Sequence, residues 1–177
     1  GANTAIFSLV NGVLLRPLPY PDSERLLHLS GGAIRGTKDL NGISVPDFLE
    51  YRKEAGSFEQ LALFSFFPAS MVLIGAGEPE QITVIRVSAN FLETMGIKPQ
   101  YGRGFLGEEE TPGHDTVVLL SHLLWRRRFG SDPSVVGKTV TLDSSICTVV
   151  GIMPAGFEFP RNAEAWVHLG RGLSSRL

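Results

Sequence analysis

Residues 87–154 constrain the fold more than any other stretch, because their apolar residues change from the spacing of a helix to that of a strand and back. Residues 117–120 (VVLL) are a continuous apolar run of strand length, which indicates a strand buried on both faces. Ser121 offers a side-chain oxygen for the start of a helix predicted over residues 122–129, and Gly130 can end that helix. The rest of the chain has to pack on this strand and helix.

Two further strands and a short helix flank this pair. Residues 139–142 and 147–152 are rich in β-branched residues and are separated by turn-forming residues, which predicts a strand, a tight turn and a strand. Ahead of the buried strand, residues 90–95 predict a short helix with Ser88 or Asn90 as its cap. The whole stretch therefore predicts a strand–helix–strand–strand unit.

The remaining sequence extends this unit into a sheet. Residues 61–87 carry apolar runs separated by turn residues and predict antiparallel strands, as a hairpin or a short meander. A strand over residues 25–30, a helix between Pro46 and Gly56 and a last strand over residues 166–169 continue the pattern. We predict an α+β fold, in which two strand–helix–strand units form a mixed β-sheet with helices on one face.

Residues 1–21 pose a separate question. The apolar residues within positions 2–15 follow helical spacing, but this stretch alone is too short to span a bilayer, which takes about 20 residues. Three prolines, at positions 17, 19 and 21, end any helix near Leu15. Two interpretations remain open: a plain amphipathic surface helix, or the outer end of a transmembrane helix that begins ahead of Gly1.

Composition and charge exclude several classes of protein. A length of 177 residues suits one domain, and 43% hydrophobic with 19% charged residues is typical of a globular protein. The formal net charge is −2, so electrostatics gives no basis for binding nucleic acid. Cys147 is the one cysteine of the sequence, which excludes an internal disulfide and a zinc site built on cysteines.

Four residues invite a hydrolase interpretation but have simpler explanations. Serine catalysis needs a hydroxyl, an imidazole and a carboxylate, and His114, Asp115, Ser121 and His122 bring these groups close in sequence. However, His114 and Asp115 follow a Pro-Gly turn, Ser121 is explained as a helix cap, and no serine lies in a Gly-x-Ser-x-Gly motif. We predict no catalytic residue.

The sequence also predicts no metal-binding and no cofactor-binding residue. The acidic run at residues 108–110 could offer oxygen ligands to a divalent cation, but an exposed, solvated loop is the favoured explanation. Gly137, Lys138 and Thr139 match the end of the phosphate-loop motif, yet the glycine required upstream is missing. We therefore predict that the chain does not bind ATP.

The aromatic and arginine clusters are interpreted as structural. Most aromatic residues are expected in the core, and the alternative is a ligand groove lined by Trp125, Trp166 and the phenylalanines at 64, 66, 67, 157 and 159. Arg103 lies between two glycines and is expected at a tight turn, where its side chain could connect two parts of the domain. The arginines at residues 126–128 are expected on a solvated helix face.

Several of these segments together resemble a known family. The string GRGF with acidic residues behind it, then VVLLSHLLWRRRFGSDPSVVGKTVTLD and TVVGIMPAGFEFP, is similar to the MacB-like periplasmic core domain of ABC-transporter permeases related to MacB and FtsX. The opening GANTAIFSLVNGVLLRPLPYPDSERLL resembles the version found in large orphan permeases of acidobacteria. The resemblance spans roughly the whole chain and rests on the order and spacing of these segments.

The resemblance implies a two-lobed extracytoplasmic domain with no reaction of its own. Residues 1–21 would be the outer end of a truncated transmembrane helix with a proline-rich exit, and residues 22–177 the domain on the periplasmic side of the inner membrane. The implied partners are the permease's own transmembrane helices, a second permease copy, a cytoplasmic ABC ATPase and a periplasmic adaptor. Such a domain couples ATP hydrolysis to movement of a substrate or partner protein, in efflux or export.

Two other functions stay open from the sequence. A periplasmic ligand- or peptide-binding module would show a pocket with converging polar groups. A small hydrolase would show a hydrogen-bonded chain of serine, histidine and acid. The permease interpretation also predicts, in the full reading frame, about ten more apolar residues ahead of Gly1, which would complete a span of about 20 residues, and further membrane spans after Leu177.

Overall fold

The described part of the chain is built mainly of β-strands. The structure, a computed structural model, describes residues 26, 60–65, 67–75, 77–110, 114, 116–160 and 162–169. In chain order its strands and α-helices are β1 Ala69–Ile74, β2 Glu80–Val87, α1 Phe91–Thr94, β3 Tyr101–Gly102, β4 Val117–Leu120, α2 His122–Phe129, β5 Thr139–Leu142, β6 Ser145–Ile152 and β7 Ala165–His168. Two short 3-10 helices lie at Gly107–Glu110 and Pro133–Val135.

The described strands form one mixed sheet that closes on itself. The strand order is β3-β6-β4-β7-β2-β1-β5, and β5 pairs in turn with β6, so that six strands make a ring with β3 beside it. Strands β4 and β6 are parallel, as are β2 and β7, and the other pairings are antiparallel. The predicted α+β class with a mixed sheet is confirmed.

The sheet separates two clusters of buried apolar residues. The six ring strands together enclose what we call the inner cluster, which comprises Met71, Leu73, Ile82, Val84, Val118, Leu120, Leu124, Trp125, Val135, Val140, Leu142, Cys147, Val149, Ile152, Ala165 and Val167. The outer cluster lies on the other face and comprises Ile85, Val87, Phe91, Leu92, Met95, Phe105, Val117, Leu119, Val150, Met153, Phe157, Ala163 and Trp166. Successive residues of β4 alternate between the two clusters, which confirms that this strand is buried on both faces.

The helices differ from the sequence prediction in their placement. Leu124 and Trp125 of α2 belong to the inner cluster, whereas Phe91 and Leu92 of α1 belong to the outer cluster. The two described helices thus do not share one face of the sheet. The physical reason is that β4 is apolar on both faces, so each face needs a cover from another element.

Capping was predicted correctly for α2 and incorrectly for α1. The Leu124 amide donates to Ser121 Oγ at 3.1 Å, and Gly130 ends α2 in the left-handed conformation. Asn90 precedes α1 but makes no capping hydrogen bond with its side chain. Instead its amide donates to the Leu61 carbonyl at 2.9 Å, because the segment before β1 packs beside this turn.

Most of the other predicted strands are confirmed. Antiparallel β1 and β2 correspond to the hairpin expected within residues 61–87, although the stretch before Ala69 contributes a single bridge, from Phe64 to Val87. Strands β5 and β6 form the expected strand–turn–strand, and β7 corresponds to the expected last strand. Strand β3 and the two 3-10 helices were not predicted, since such short elements leave no periodic pattern.

Other predictions fall outside the described residues. These are the two interpretations of residues 1–21, the helix between Pro46 and Gly56, and the strand over residues 25–30 apart from Leu26. The second lobe also stays a prediction. In the portion of the chain that the structure describes, no helix is both long enough and apolar enough to cross a membrane.

Candidate functional site

A cleft with a partly polar lining lies beside α2 among the described residues. Its volume is about 260 Å³. It is lined by Thr83, Ser121, His122, Leu123, Arg127, Gly156, Phe157, Glu158, Asn162, Ala163 and Glu164. The helix contributes one wall, and the segment that leads from β6 into β7 contributes the other.

An arginine–glutamate network, formed by Arg127, Arg128, Glu80 and Glu164, fixes the charged side of this cleft. Arg127 Nη2 lies 2.6 Å from Glu80 Oε1 and 2.7 Å from Glu164 Oε1. Arg128 Nε lies 3.3 Å from Glu80 Oε2, and Arg128 Nη2 also donates to the Glu78 carbonyl. The hydrogen bond to the Glu164 carboxylate is the main cause that raises the pKa of Arg127.

This network corrects the prediction of a solvated arginine face. Arg126 and Arg127 are exposed as expected, whereas Arg128 is half-buried. Arg127 and Arg128 both bind carboxylates, from the start of β2 and, for Arg127, also from the residue before β7. The reason is that the C-terminal half of α2 lies over these strand ends. The acidic side chains there compensate the positive charges of Arg127 and Arg128.

Glu164 connects three elements through separate atoms. Its amide donates to the Thr83 carbonyl at 2.9 Å, and its Oε2 accepts from the Thr83 amide at 2.8 Å. Its carbonyl accepts from the Ser121 amide at 2.8 Å, directly before α2. Together with the bond from Arg127, these contacts hold β2, β7 and α2 in one fixed arrangement.

The cleft offers limited chemistry for holding a ligand. Sites for small molecules usually have volumes of about 300–1,000 Å³, and this cleft is smaller. Arg127 and Glu164 satisfy each other, so a ligand that used either group would have to compete with an existing ion pair. The geometry therefore suits a structural role for these charges better than a binding role.

The residues considered for serine catalysis are not arranged for it. Ser121 is buried and its Oγ accepts the capping hydrogen bond of α2. His122 Nδ1 lies 3.1 Å from Gln100 Oε1, and its ring contacts Trp125. His114 is exposed, and Asp115 lies outside the described residues.

Arg103 does connect two parts of the domain, and its partner comes from the acidic run. Arg103 Nη2 donates to Glu109 Oε1 at 2.6 Å, and Arg103 Nη1 lies 3.2 Å from Glu109 Oε2. The Leu106 amide donates to the same Glu109 Oε2 at 2.7 Å. The expectation of a solvated acidic loop is therefore wrong for Glu109, which is buried because the bidentate pair compensates its charge.

The described residues hold no group of three or more histidine, cysteine, aspartate or glutamate side chains placed to bind a metal ion. Lys138, at the incomplete phosphate-loop motif, donates to Ser134 Oγ at 2.9 Å. In the same turn, the hydrogen bond from the Ser134 hydroxyl is the main cause that lowers the pKa of Asp132. These side chains stabilise the 3-10 helix at Pro133–Val135.

The aromatic residues mostly belong to the core, as expected. Trp125, Trp166 and Phe157 are buried, and Phe64 and Phe159 pack against the outer cluster. Phe67 is exposed, and Phe66 lies outside the described residues. No groove lined by the full aromatic set exists among the residues that the structure describes, because these rings are divided between two clusters.

Sequence reasoning missed Glu80 and Glu164. Both lie at the start of a strand, where a single acidic residue carries no recognisable pattern. The one available signal was the run of three arginines on a short helix that is apolar on its other side. Such a concentration of positive charge indicates acidic residues nearby in the fold.

Comparison with solved structures places the fold among extracytoplasmic domains. The periplasmic region of MacB from Actinobacillus actinomycetemcomitans matches with a TM-score of 0.61 and 16% identity, covering 83% of this chain and 65% of that one. The extracellular domain of the noncanonical ABC-type transporter YknZ from Gram-positive bacteria matches with a TM-score of 0.55 and 20% identity, covering 68% and 60%. At these identities the likeness shows a shared fold, and the chain spans less than two thirds of each relative's length.

The sequence itself supplies the family. The family model of the MacB-like periplasmic core domain matches residues 1–177, and the chain therefore belongs to this family. A comparison with curated proteins found no match.

Proposed function

We propose that this chain is the extracytoplasmic domain of an ABC-transporter permease. In this role it transmits movement, driven by ATP hydrolysis in the cytoplasm, to a substrate or a partner protein outside the inner membrane. It performs no reaction of its own. The observation that carries the proposal is the family match over residues 1–177, which agrees with the fold shared with the periplasmic region of MacB.

The packing of the domain supports a mechanical role. A ring of paired strands between two buried apolar clusters transmits displacement, because closely packed interiors have low compressibility. The bonds of Glu164 join α2 to two strands, and the Arg103–Glu109 pair joins the segment after β3 to a 3-10 helix. A force applied at one element therefore reaches the others.

The proposed location and partners follow from the family. The domain lies on the periplasmic side of the inner membrane, attached to the permease's own transmembrane helices, with residues 1–21 as the outer end of one of them. It acts beside a second permease copy and above a cytoplasmic ABC ATPase, and a periplasmic adaptor is a further partner of this class. The direction of movement that we propose is export or efflux.

The second candidate function is a periplasmic ligand- or peptide-binding module. The observation in its favour is the cleft beside α2, in which His122, Arg127 and Asn162 converge. Its small volume and the pairing of Arg127 with Glu164 make it the weaker candidate.

The location can be tested with a membrane-impermeant maleimide. Leu123 is 57% exposed on α2, so Leu123→Cys in the full reading frame presents a reactive thiol, whereas the native Cys147 is buried. We expect labelling of Leu123→Cys in intact spheroplasts and none of the unsubstituted protein, which is the matched control. Labelling of Leu123→Cys only after the cells are lysed would place the domain in the cytoplasm and overturn the proposal.

A further inference from the structure

The ring of strands has one weak pairing, between β1 and β5, which we call the seam. Among the described strands of the ring it has the shortest register, with Leu73 opposite Leu142 and Ile74 opposite Thr141. By comparison, β1 pairs with β2 from Ala69 to Leu73. A short ladder supplies few backbone hydrogen bonds, so the seam resists separation less than its neighbours.

The two faces of the seam contribute unequally to its stability. On the inner face, Leu73 and Leu142 are fully buried in the inner cluster. On the outer face, Val72 and Ile74 of β1 are exposed, and so is Ile146 of the neighbouring β6, by 65%. Packing therefore holds the seam from the inside alone, whereas β4 is packed on both faces.

Asp143 supplies the main polar connection across the seam. The Val72 amide donates to Asp143 Oδ1 at 2.8 Å, and the Asp143 amide donates to the Val72 carbonyl at 2.8 Å. Asp143 lies in the turn between β5 and β6 with a φ of 54°, in the left-handed region that aspartate and asparagine tolerate better than most residues. The side chain and the backbone amide of Asp143 therefore both form hydrogen bonds with β1.

The hairpin of β1 and β2 is held on its far side by α2. Arg128 donates to the Glu78 carbonyl in the hairpin turn, and both Arg127 and Arg128 pair with Glu80 at the start of β2. Strand β2 also pairs with β7. When the seam separates, these contacts keep β2 in place, and β1, which stays paired with β2, moves away from β5.

We propose that the ring opens reversibly at the seam, by separation of β1 from β5, with the bonds of Asp143 controlling how often it opens. The opening gives an otherwise closed sheet one position at which it can change shape. It is a property of the fold and does not depend on the transport role.

Amide hydrogen exchange measured residue by residue on the 177-residue chain tests this proposal. In the unsubstituted chain we expect amides of Val72, Thr141 and Asp143 to exchange at least about 10-fold faster than amides of β4 and β7. Asp143→Gly keeps the backbone conformation but removes the side-chain acceptor, and it should speed exchange in β1 and β5 by about 3- to 10-fold, the equivalent of one hydrogen bond.

Asp143→Asn is the matched control, because it keeps an oxygen acceptor and tolerates the left-handed conformation. Its exchange rates should stay within about 2-fold of the unsubstituted chain, since the acceptor of the hydrogen bond is retained. Protection of Val72 and Thr141 equal to that of β4 would overturn the proposal. So would an Asp143→Gly variant whose exchange rises equally in β4, β7 and the seam, because that result indicates global rather than local opening.

Discussion

Trp125 shows how one side chain joins α2 to the sheet. It is buried in the inner cluster, and its indole N–H donates to the Asp132 carbonyl at 2.9 Å. We predict that Trp125→Ala lowers the free energy of unfolding by about 3–5 kcal/mol, because it leaves a cavity and removes the hydrogen bond to the Asp132 carbonyl. Urea denaturation measures the change. Trp125→Phe should cost less, and an unchanged unfolding midpoint for Trp125→Ala would show that the residue is not part of the core.

Neighbouring arginines on the same helix should respond differently to the same substitution. Arg127 bonds to two carboxylates, whereas Arg126 is exposed and makes no ion pair with the described residues. We predict that Arg127→Ala lowers the free energy of unfolding by about 1 kcal/mol, since its partners are partly solvated and screened. Arg126→Ala is the matched control and should cost less than about 0.5 kcal/mol.

Both variants can be compared by urea denaturation at low and at high salt. The Arg127→Ala loss should shrink as salt rises, because screening weakens the pairs in the unsubstituted chain. Equal effects of the two substitutions would mean that the network does not stabilise the fold.

At the scale of elements, Gly102 decides how closely β3 approaches β6. Its φ is 74°, and a Cβ atom at this position would lie 2.2 Å from the Val150 carbonyl oxygen. We predict that Gly102→Ala costs at least about 2 kcal/mol of stability, because the left-handed conformation alone costs about 1–2 kcal/mol for other residues. Thermal unfolding measures this loss.

Gly107→Ala is the control for that substitution. A Cβ atom at Gly107 meets no heavy atom within 4 Å. We expect its unfolding temperature to stay close to that of the unsubstituted chain. If Gly102→Ala were equally harmless, β3 would not be pressed against β6 as described.

The elements that could be predicted are those with strong local signals. Strand β4 and helix α2 have the expected bounds, because an apolar run, a capping serine and a terminal glycine each act within a few residues. The ring closure could not be predicted, since pairing of β1 with β5 and of β2 with β7 depends on contacts far apart in sequence. The outer packing of α1 was missed for the same reason.

Polar contacts, too, could be predicted only where the two residues lie close together in the sequence. Glu109 follows Arg103 by six residues, so a local partner for this arginine could have been inferred from the acidic run. Glu80 and Glu164 are 47 and 37 residues from Arg127, and no local pattern connects them. What the sequence predicted best was the family, because the order of many segments carries more information than one contact.

At the scale of the whole molecule, the domain combines a rigid body with one weak pairing. The two clusters and the bonds of Glu164 and Arg103 make most of the described sheet rigid. The seam between β1 and β5 is the exception. In the function that we propose, this combination lets the domain move as a body while β1 adjusts to a partner.

The proposed function requires that ATP hydrolysis in the cytoplasm moves this domain. The most direct measurement is the distance between nitroxide labels at Leu123→Cys in two permease copies, by pulsed electron paramagnetic resonance. The full-length permease is reconstituted with its ATPase in lipid nanodiscs, without nucleotide and trapped with ATP and vanadate. Ile146→Cys provides a second exposed label site, and buried Cys147 should stay unlabelled. We predict that trapping shifts the distance distribution at both sites, and identical distributions in an assembly that hydrolyses ATP would contradict the claim.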